Sequence, residues 1–166
     1  TAEEIWENLP GTRGASVFLS QWYDGLPMSG NSEERAFWSE MMGVRQQVNK
    51  ALELARAQGA LKGSLDASVT LFAEPALAAR LRSLGEELRF VLITSEARVA
   101  VLSEAPDSAM GAEDTPLRVV AEASSSEKCE RCWHLSETVG SIENHENLCI
   151  RCFSNVFEDG ETRRLG

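Results

Sequence analysis

Lys128-Cys129-Glu130-Arg131-Cys132-Trp133-His134 and, with sixteen residues between Cys132 and Cys149, Cys149-Ile150-Arg151-Cys152 set two C-x2-C pairs facing each other near the end of a 166-residue chain. All four cysteines of the sequence are spent on this frame. One C-x2-C turn brings two thiolates to a single metal ion, and a second turn completes a tetrahedral shell with Zn–S bonds of about 2.3 Å. Disulfide and redox readings fit less well. No signal peptide precedes the pairs, and more than a hundred cysteine-free residues with ample apolar content come first, unlike small secreted frameworks. A thioredoxin-like site wants one C-x-x-C at a strand end, and a c-type haem wants His where Trp133 stands. The spacing therefore predicts structural Zn2+ on Cys129, Cys132, Cys149 and Cys152. Four thiolates leave no open position for a metal-bound water, so His134 and His145 are expected beside the ion and not on it.

Composition bounds the rest. The apolar share of 43% is that of an ordinary soluble protein, and no run approaches the roughly 18 to 20 apolar residues of a membrane span. A membrane is not expected as a partner, and the cytoplasm is the default location. The net charge of -10 argues against coating nucleic acid through bulk electrostatics, because each phosphate contact normally uses a Lys or Arg. DNA is not expected as a partner, and any contact with RNA must be a local patch. The chain begins at Thr1 without an initiator Met and reads as a piece of something larger.

Working back from the cysteines, Thr1 and Glu4 suit a capping box for a short helix carrying Ile5, Trp6 and Leu9, ended by Pro10 and Gly11. Residues 11 to 32 read as an irregular connection with the apolar island Val17, Phe18, Leu19 and Trp22, expected to lie over a neighbouring surface. The strongest helix follows. Asn31 or Ser32 can cap it, Glu33 and Glu34 suit its positive end, and Phe37, Met41, Val44, Val48, Ala51 and Ala55 recur at helical spacing. Trp38, Met42, Leu52 and Leu54 widen the stripe, which predicts packing on two sides. Arg45, Lys50 and Arg56 on the outer face are balanced by acids and read as solvated surface.

After Gly63 the period becomes alternating, and Leu65, Ala67, Val69 and Leu71 predict a half-buried strand. Pro75 suits a first helical position, Leu77, Leu81, Leu84 and Leu88 give the next helix or helix pair its apolar side, and Gly85 is a break. Phe90 to Ile93 is ambiguous between helix end and strand. Val99 with Val101, and Val119 with Ala121, are further strands around a flexible loop, 103–116. The expected class is α+β: a helical segment 1–62, a small α/β unit 63–123, and a terminal four-cysteine zinc knuckle or ribbon 124–166.

Nothing in these residues makes an active site. The sequence has no Gly-rich phosphate loop and no Ser/His/Asp or free Cys/His arrangement, so no catalytic residue is assigned. The segment from Ser126 carries Lys128, Arg131, Arg151, Arg163 and Arg164 against eight acids, so position matters more than total charge. Arg131 and Arg151 sit inside the two metal turns, with Trp133 and His134 directly after. A rigid Arg beside an exposed aromatic suits an unpaired RNA base; equally, Trp133 can pack over the metal while the arginines screen its negative shell.

Five ordered blocks carry a resemblance. They are Val48-Asn49-Lys50-Ala51-Leu52-Glu53 with Ala55-Arg56, Gly63-Ser64-Leu65-Asp66-Ala67, Glu87-Leu88-Arg89-Phe90-Val91-Leu92-Ile93-Thr94-Ser95, Lys128 to His134, and Leu148 to Cys152. Together with Thr1 to Trp6 and Trp22-Tyr23 they resemble the carboxy-terminal region of bacterial isoleucyl-tRNA synthetase. The resemblance implies a class I ligase that attaches isoleucine to its tRNA using ATP and Mg2+ and edits valine hydrolytically. The HIGH and KMSKS signatures and any editing domain are absent from this chain, so the fragment alone is not expected to be catalytic. What the resemblance leaves here is the tail of the anticodon-binding helices, a linker unit and the zinc domain. It implies that the four cysteines hold zinc, that Arg131 with Trp133 reaches the anticodon, and that Lys128, His134 and Arg151 belong to the same tRNA-facing element. The partners it implies are tRNA and the remainder of the synthetase. The rival reading is a zinc ribbon for protein contact, and a third is a zinc-tuned thiol switch.

Overall fold

A computed structural model describes residues 1–27, 30–111 and 115–163. It divides into two compact units, Thr1–Arg35 and Ala36–Gly166, each taken by itself below. The first holds α1 (Ala2–Asn8), where the Glu4 carboxylate reaches back to the amino group of Thr1. Trp6 is half-buried; its indole N–H donates to the Gly14 carbonyl at 2.9 Å, and the Arg13 guanidinium covers its ring. Phe18, Leu19, Trp22, Tyr23 and Leu26 are exposed within their unit.

Helix α2 (Ser32–Ala57) starts where capping chemistry predicts, with Asn31 Oδ1 accepting from the backbone N–H groups of Glu33 and Glu34 at 2.9 Å each. Its buried side is Met41, Val44, Val48, Ala51, Leu52 and Ala55. The expected second buried side is only partly present. Trp38 packs against the core, whereas Met42 and Leu54 are exposed, since one sheet face offers cover for a single stripe.

Strand β1 (Ala67–Ala73) is central, parallel to β2 (Glu96–Val101) and antiparallel to β3 (Leu117–Ala123). Strict alternation buries Ala67, Val69, Leu71 and Ala73 and half-exposes the residues between them. The register puts Val99 and Val119 beside Leu71, and Ala97 and Ala121 beside Val69, so one face of the sheet is apolar. Leu65, expected in the strand, lies instead in a 3-10 turn, Ser64–Asp66, where the Asp66 carboxylate accepts from the Gly63 N–H. Between β1 and β2 run α3 (Pro75–Ser83), opened by Pro75, and α4 (Leu88–Leu92), separated from it by a turn at Gly85 with φ +54. Leu77, Leu81, Leu84, Leu88 and Leu92 join the α2 residues in one core over the sheet.

The ambiguous Phe90 to Ile93 stretch is therefore helix and its cap. Where a flexible loop was expected over 103–116, Ala109 is buried and Met110 pairs with Val119 through two 2.8 Å backbone bonds. Those bonds satisfy backbone groups that a solvated loop would leave to water. Ala112 to Asp114 of that loop, and Arg164, lie outside the described residues. The expected α+β class is borne out, with a short hairpin of β4 (Glu127–Lys128) and β5 (Leu135–Ser136), and α5 (Ile150–Phe157), building the cysteine segment.

Candidate metal centre

Hairpin and helix each deliver one cysteine pair. Cys129 follows β4, and the chain folds back so tightly that the Trp133 N–H donates to the Cys129 carbonyl and the Cys129 N–H donates to the His134 carbonyl, both at 2.9 Å. Trp133 closes this knuckle with φ +65, a left-handed backbone uncommon for a bulky residue. On the other side Cys149 caps α5 and Cys152 stands in its first turn. The four Sγ atoms lie within 4.8 Å of one another, no disulfide joins them, and Cys132 and Cys149 are 3.7 Å apart. A tetrahedral zinc with bonds of about 2.3 Å requires sulfur separations of about 3.8 Å. The donor set fits that ion.

Cys129, Cys149 and Cys152 are buried and Cys132 is half-buried. The Cys149 N–H donates to Cys129 Sγ at 3.4 Å, and an Arg131 N–H donates to Cys152 Sγ at 3.6 Å. Burial pushes the Cys129 thiol up, but backbone donors of Cys132, Cys149 and Arg131 outweigh it and draw it down to about 6. Cys132 is pushed up to about 12 by burial and its sulfur neighbours, and burial also raises Cys149. Such a cluster of sulfurs competing for protons is what a divalent cation relieves.

The candidate RNA-facing residues separate into two groups. Trp133 is 62% exposed, and the Lys128 ammonium lies 5.3 Å from its ring centroid. Arg131 is exposed on the same knuckle. Trp133 is thus largely in solvent, and the Arg131 guanidinium reaches the Cys152 sulfur. His134 and Arg151 turn inward. The His134 ring meets Phe90 edge-on at 5.8 Å, its Nδ1 is 3.2 Å from the Cys132 carbonyl, and burial together with the Arg89 and Arg151 cations lowers its pKa. Arg151 lies over Phe90 at 4.8 Å and pairs with Glu161 at 2.7 Å. That hydrogen bond raises the Arg151 pKa and, with a second from Arg163, holds the Glu161 carboxyl down to about 2.

Glu161 and Phe90 carried no sequence signal for holding Arg151, because only the fold brings them against it. His145 stacks with Phe153 and Phe157 in an aromatic cluster on α5, away from the metal-donor set.

A family model described as a zinc finger found in FPG and IleRS matches residues 126–155, bracketing the cysteine cluster. Over 99% of the chain, the sequence is 51% identical to an isoleucine–tRNA ligase of Aeromonas hydrophila. The chain is a homologue of one segment of the isoleucine–tRNA ligases. Ligases of that name from Shewanella halifaxensis and Yersinia pestis are 48% and 50% identical over the same share. The chain spans 18% of the length of each of these isoleucine–tRNA ligases. The resemblance expected from five blocks thus extends across the chain, and the zinc-finger match together with the sulfur geometry supports zinc binding. Among the described residues no helix is long and apolar enough to cross a membrane.

Proposed function

We propose that this chain is the tRNA-recognising portion of an isoleucine–tRNA ligase and that its cysteine knuckle is a tip that reads the anticodon. On this reading 1–62 is the tail of the anticodon-binding helices, 63–123 a linker unit and 124–166 the zinc domain. The parent enzyme attaches isoleucine to tRNA in the cytoplasm with ATP and Mg2+, in parts outside this chain. The observation that carries the reading is the exposed Trp133 ring, held on a tight knuckle with the Lys128 ammonium beside it.

Zinc, held by Cys129, Cys132, Cys149 and Cys152, supplies stiffness and no chemistry. Cys129 and Cys132 pin the two ends of the knuckle, and the backbone bonds between Cys129, Trp133 and His134 fix its tip. Trp133 offers a π-face for an unpaired base, worth about 1–3 kcal/mol when stacked. Arg131 offers planar donors to a base edge or phosphate, and Lys128 a phosphate-directed charge. His134 and Arg151 support from behind: they hold the tip against Phe90 and are not assigned direct contacts.

The test is binding of the zinc-loaded chain to isoleucine tRNA and to anticodon-substituted tRNA. Arg131→Ala is expected to weaken binding and relax discrimination at one anticodon position; unchanged discrimination overturns the assignment. The rival reading is protein contact through α5, where Ile150, Val156 and Phe157 are exposed. It predicts that Ile150→Asp and Phe157→Asp abolish association with the rest of the ligase and leave RNA binding intact.

A further inference from the structure

The four cysteines are not equally sheltered. Cys129 and Cys152 are 0% exposed and Cys149 is 4% exposed, whereas Cys132 is half-buried on the knuckle, between exposed Arg131 and exposed Trp133. The two most buried sulfurs are also hydrogen-bonded: Cys129 Sγ accepts from the Cys149 N–H, and Cys152 Sγ from an Arg131 N–H. A hydrogen bond to sulfur holds the electron pair with which a thiolate attacks, and burial keeps solutes away from it. Cys132, partly open and next to a cationic residue in the chain, is the sulfur that a dissolved reagent meets first.

A partner is already in place. Cys149 Sγ lies 3.7 Å from Cys132 Sγ, on the opposite C-x2-C turn and at the start of α5. A cavity of about 360 Å³ borders Cys149, lined also by Ser95, Ser136, Thr138 and Ile150. Both members of the pair thus adjoin space open to small solutes, Cys132 at the surface and Cys149 at the cavity. A disulfide sets its sulfurs at about 2.05 Å, so this pair has a short distance to close.

We propose that Cys132 and Cys149 form an oxidation site, at which a two-electron oxidant of the hydroperoxide class joins them in a disulfide across the two turns and dismantles the metal centre. The Cys132 thiolate attacks the peroxide: an S–O bond forms, the O–O bond breaks and hydroxide leaves. The Cys149 thiolate then attacks the sulfenic sulfur: the S–S bond forms, the S–O bond breaks and a second hydroxide leaves. Two thiolates have given up two electrons, and the peroxide, with two protons from solvent, has become two waters. Cys129 and Cys152 remain, two donors where structural zinc requires four, and they take up protons as the ion is released. The disulfide ties the knuckle to α5 in the ion's place, and a reductant that cleaves it restores all four donors. The oxidation site stands on the cysteine geometry; that oxidation silences RNA recognition rests on the tRNA reading above.

The experiment treats the zinc-loaded full chain with a small excess of hydrogen peroxide, beside an untreated control. Released Zn2+ is followed with a chromogenic chelator, remaining thiols are trapped with N-ethylmaleimide, and the linkage is located by mass spectrometry. Release of about one Zn2+ per disulfide is expected, with Cys132–Cys149 as the first linkage, Cys129 and Cys152 trapped as thiols, and recovery with dithiothreitol and Zn2+. A first linkage within one turn, Cys129–Cys132 or Cys149–Cys152, overturns the pairing, as does sulfinic acid at Cys132 without a disulfide. Retention of Zn2+ under peroxide that oxidises glutathione completely overturns the site. Affinity for an anticodon stem-loop, measured on the same samples, is expected to fall by about tenfold or more on oxidation and to return on reduction. Unchanged RNA affinity with the disulfide formed overturns the link to recognition and leaves the oxidation site. Absence of RNA binding by the untreated chain overturns the tRNA reading and likewise leaves the oxidation site.

Discussion

The Leu135 backbone N–H donates to the Ser95 hydroxyl at 2.7 Å, joining the zinc hairpin to the end of α4 across forty residues of chain. Ser95 is 4% exposed, its own hydroxyl donates to the Leu65 carbonyl, and its N–H bonds Ala67 at the start of β1. One small residue thus fastens the start of β5 and the turn before β1 through its side chain, and the start of β1 through its backbone. With the Phe90–His134 and Phe90–Arg151 contacts it seats the knuckle on the α/β core.

Ser95→Ala removes that joint and takes a partner from two half-buried backbone groups, the Leu135 N–H and the Leu65 carbonyl. Urea unfolding of the zinc-loaded chain is expected to show a loss of about 1–3 kcal/mol. Ser95→Thr, which keeps the hydroxyl, is expected to recover part of it.

Removing zinc with a chelator is expected to unfold the cysteine segment while the α/β core stays folded, because that core buries Val69, Leu71, Leu81, Leu92 and Leu117 independently of the metal. Hydrogen exchange checks this: amides of 129–157 lose protection, and those of β1 keep it. Simultaneous loss in β1 would show that the two parts unfold together.

Trp133→Gly relieves a left-handed backbone at an exposed position. Stability and zinc affinity are expected to stay within about 1 kcal/mol, the relief of strain offsetting the lost Lys128 contact. RNA affinity is expected to fall by about tenfold or more, the loss of one stacked base. A large fall in zinc affinity would mean that the ring closes the metal site.

Glu161→Gln cuts the latch to Arg151 and Arg163. The folded carboxyl sits at about 2, below its ordinary value of 4.5, so its contribution is complete above pH 4.5 and disappears as pH falls through about 2. The unaltered chain is expected to exceed the variant by about 1–2 kcal/mol at pH 7, a discounted value for a partly solvated pair. Unfolding series from pH 7 downwards should keep that gap to about pH 4.5 and close it below. A gap that closes already near pH 6 would place the effect on another group.

The helices and strands were legible because their burial is periodic. The β1 pattern alternates without a fault, α2 repeats its apolar side at three and four residues, and Pro75 and Asn31 mark helix starts by local backbone chemistry. Phe90 to Ile93 resisted reading because a short apolar run satisfies either period, and only packing of Leu88 and Leu92 on the core selects the helix. Met42 and Leu54 were over-read, since apolarity does not reveal whether a second surface is there to cover it.

By itself the sequence determined the metal donor set, the order of the elements and the kinship with isoleucine–tRNA ligases, all of which depend on residue type and short-range spacing. Tertiary structure alone decided that Trp133 faces solvent while His134 and Arg151 turn onto Phe90, although all three belong to the two cysteine turns. It also decided that Arg45 has no ion pair among the described residues. The reason is common to both: exposure and pairing are set by which distant surfaces fold together, and neighbours in sequence point wherever the backbone, here a left-handed turn at Trp133, directs them.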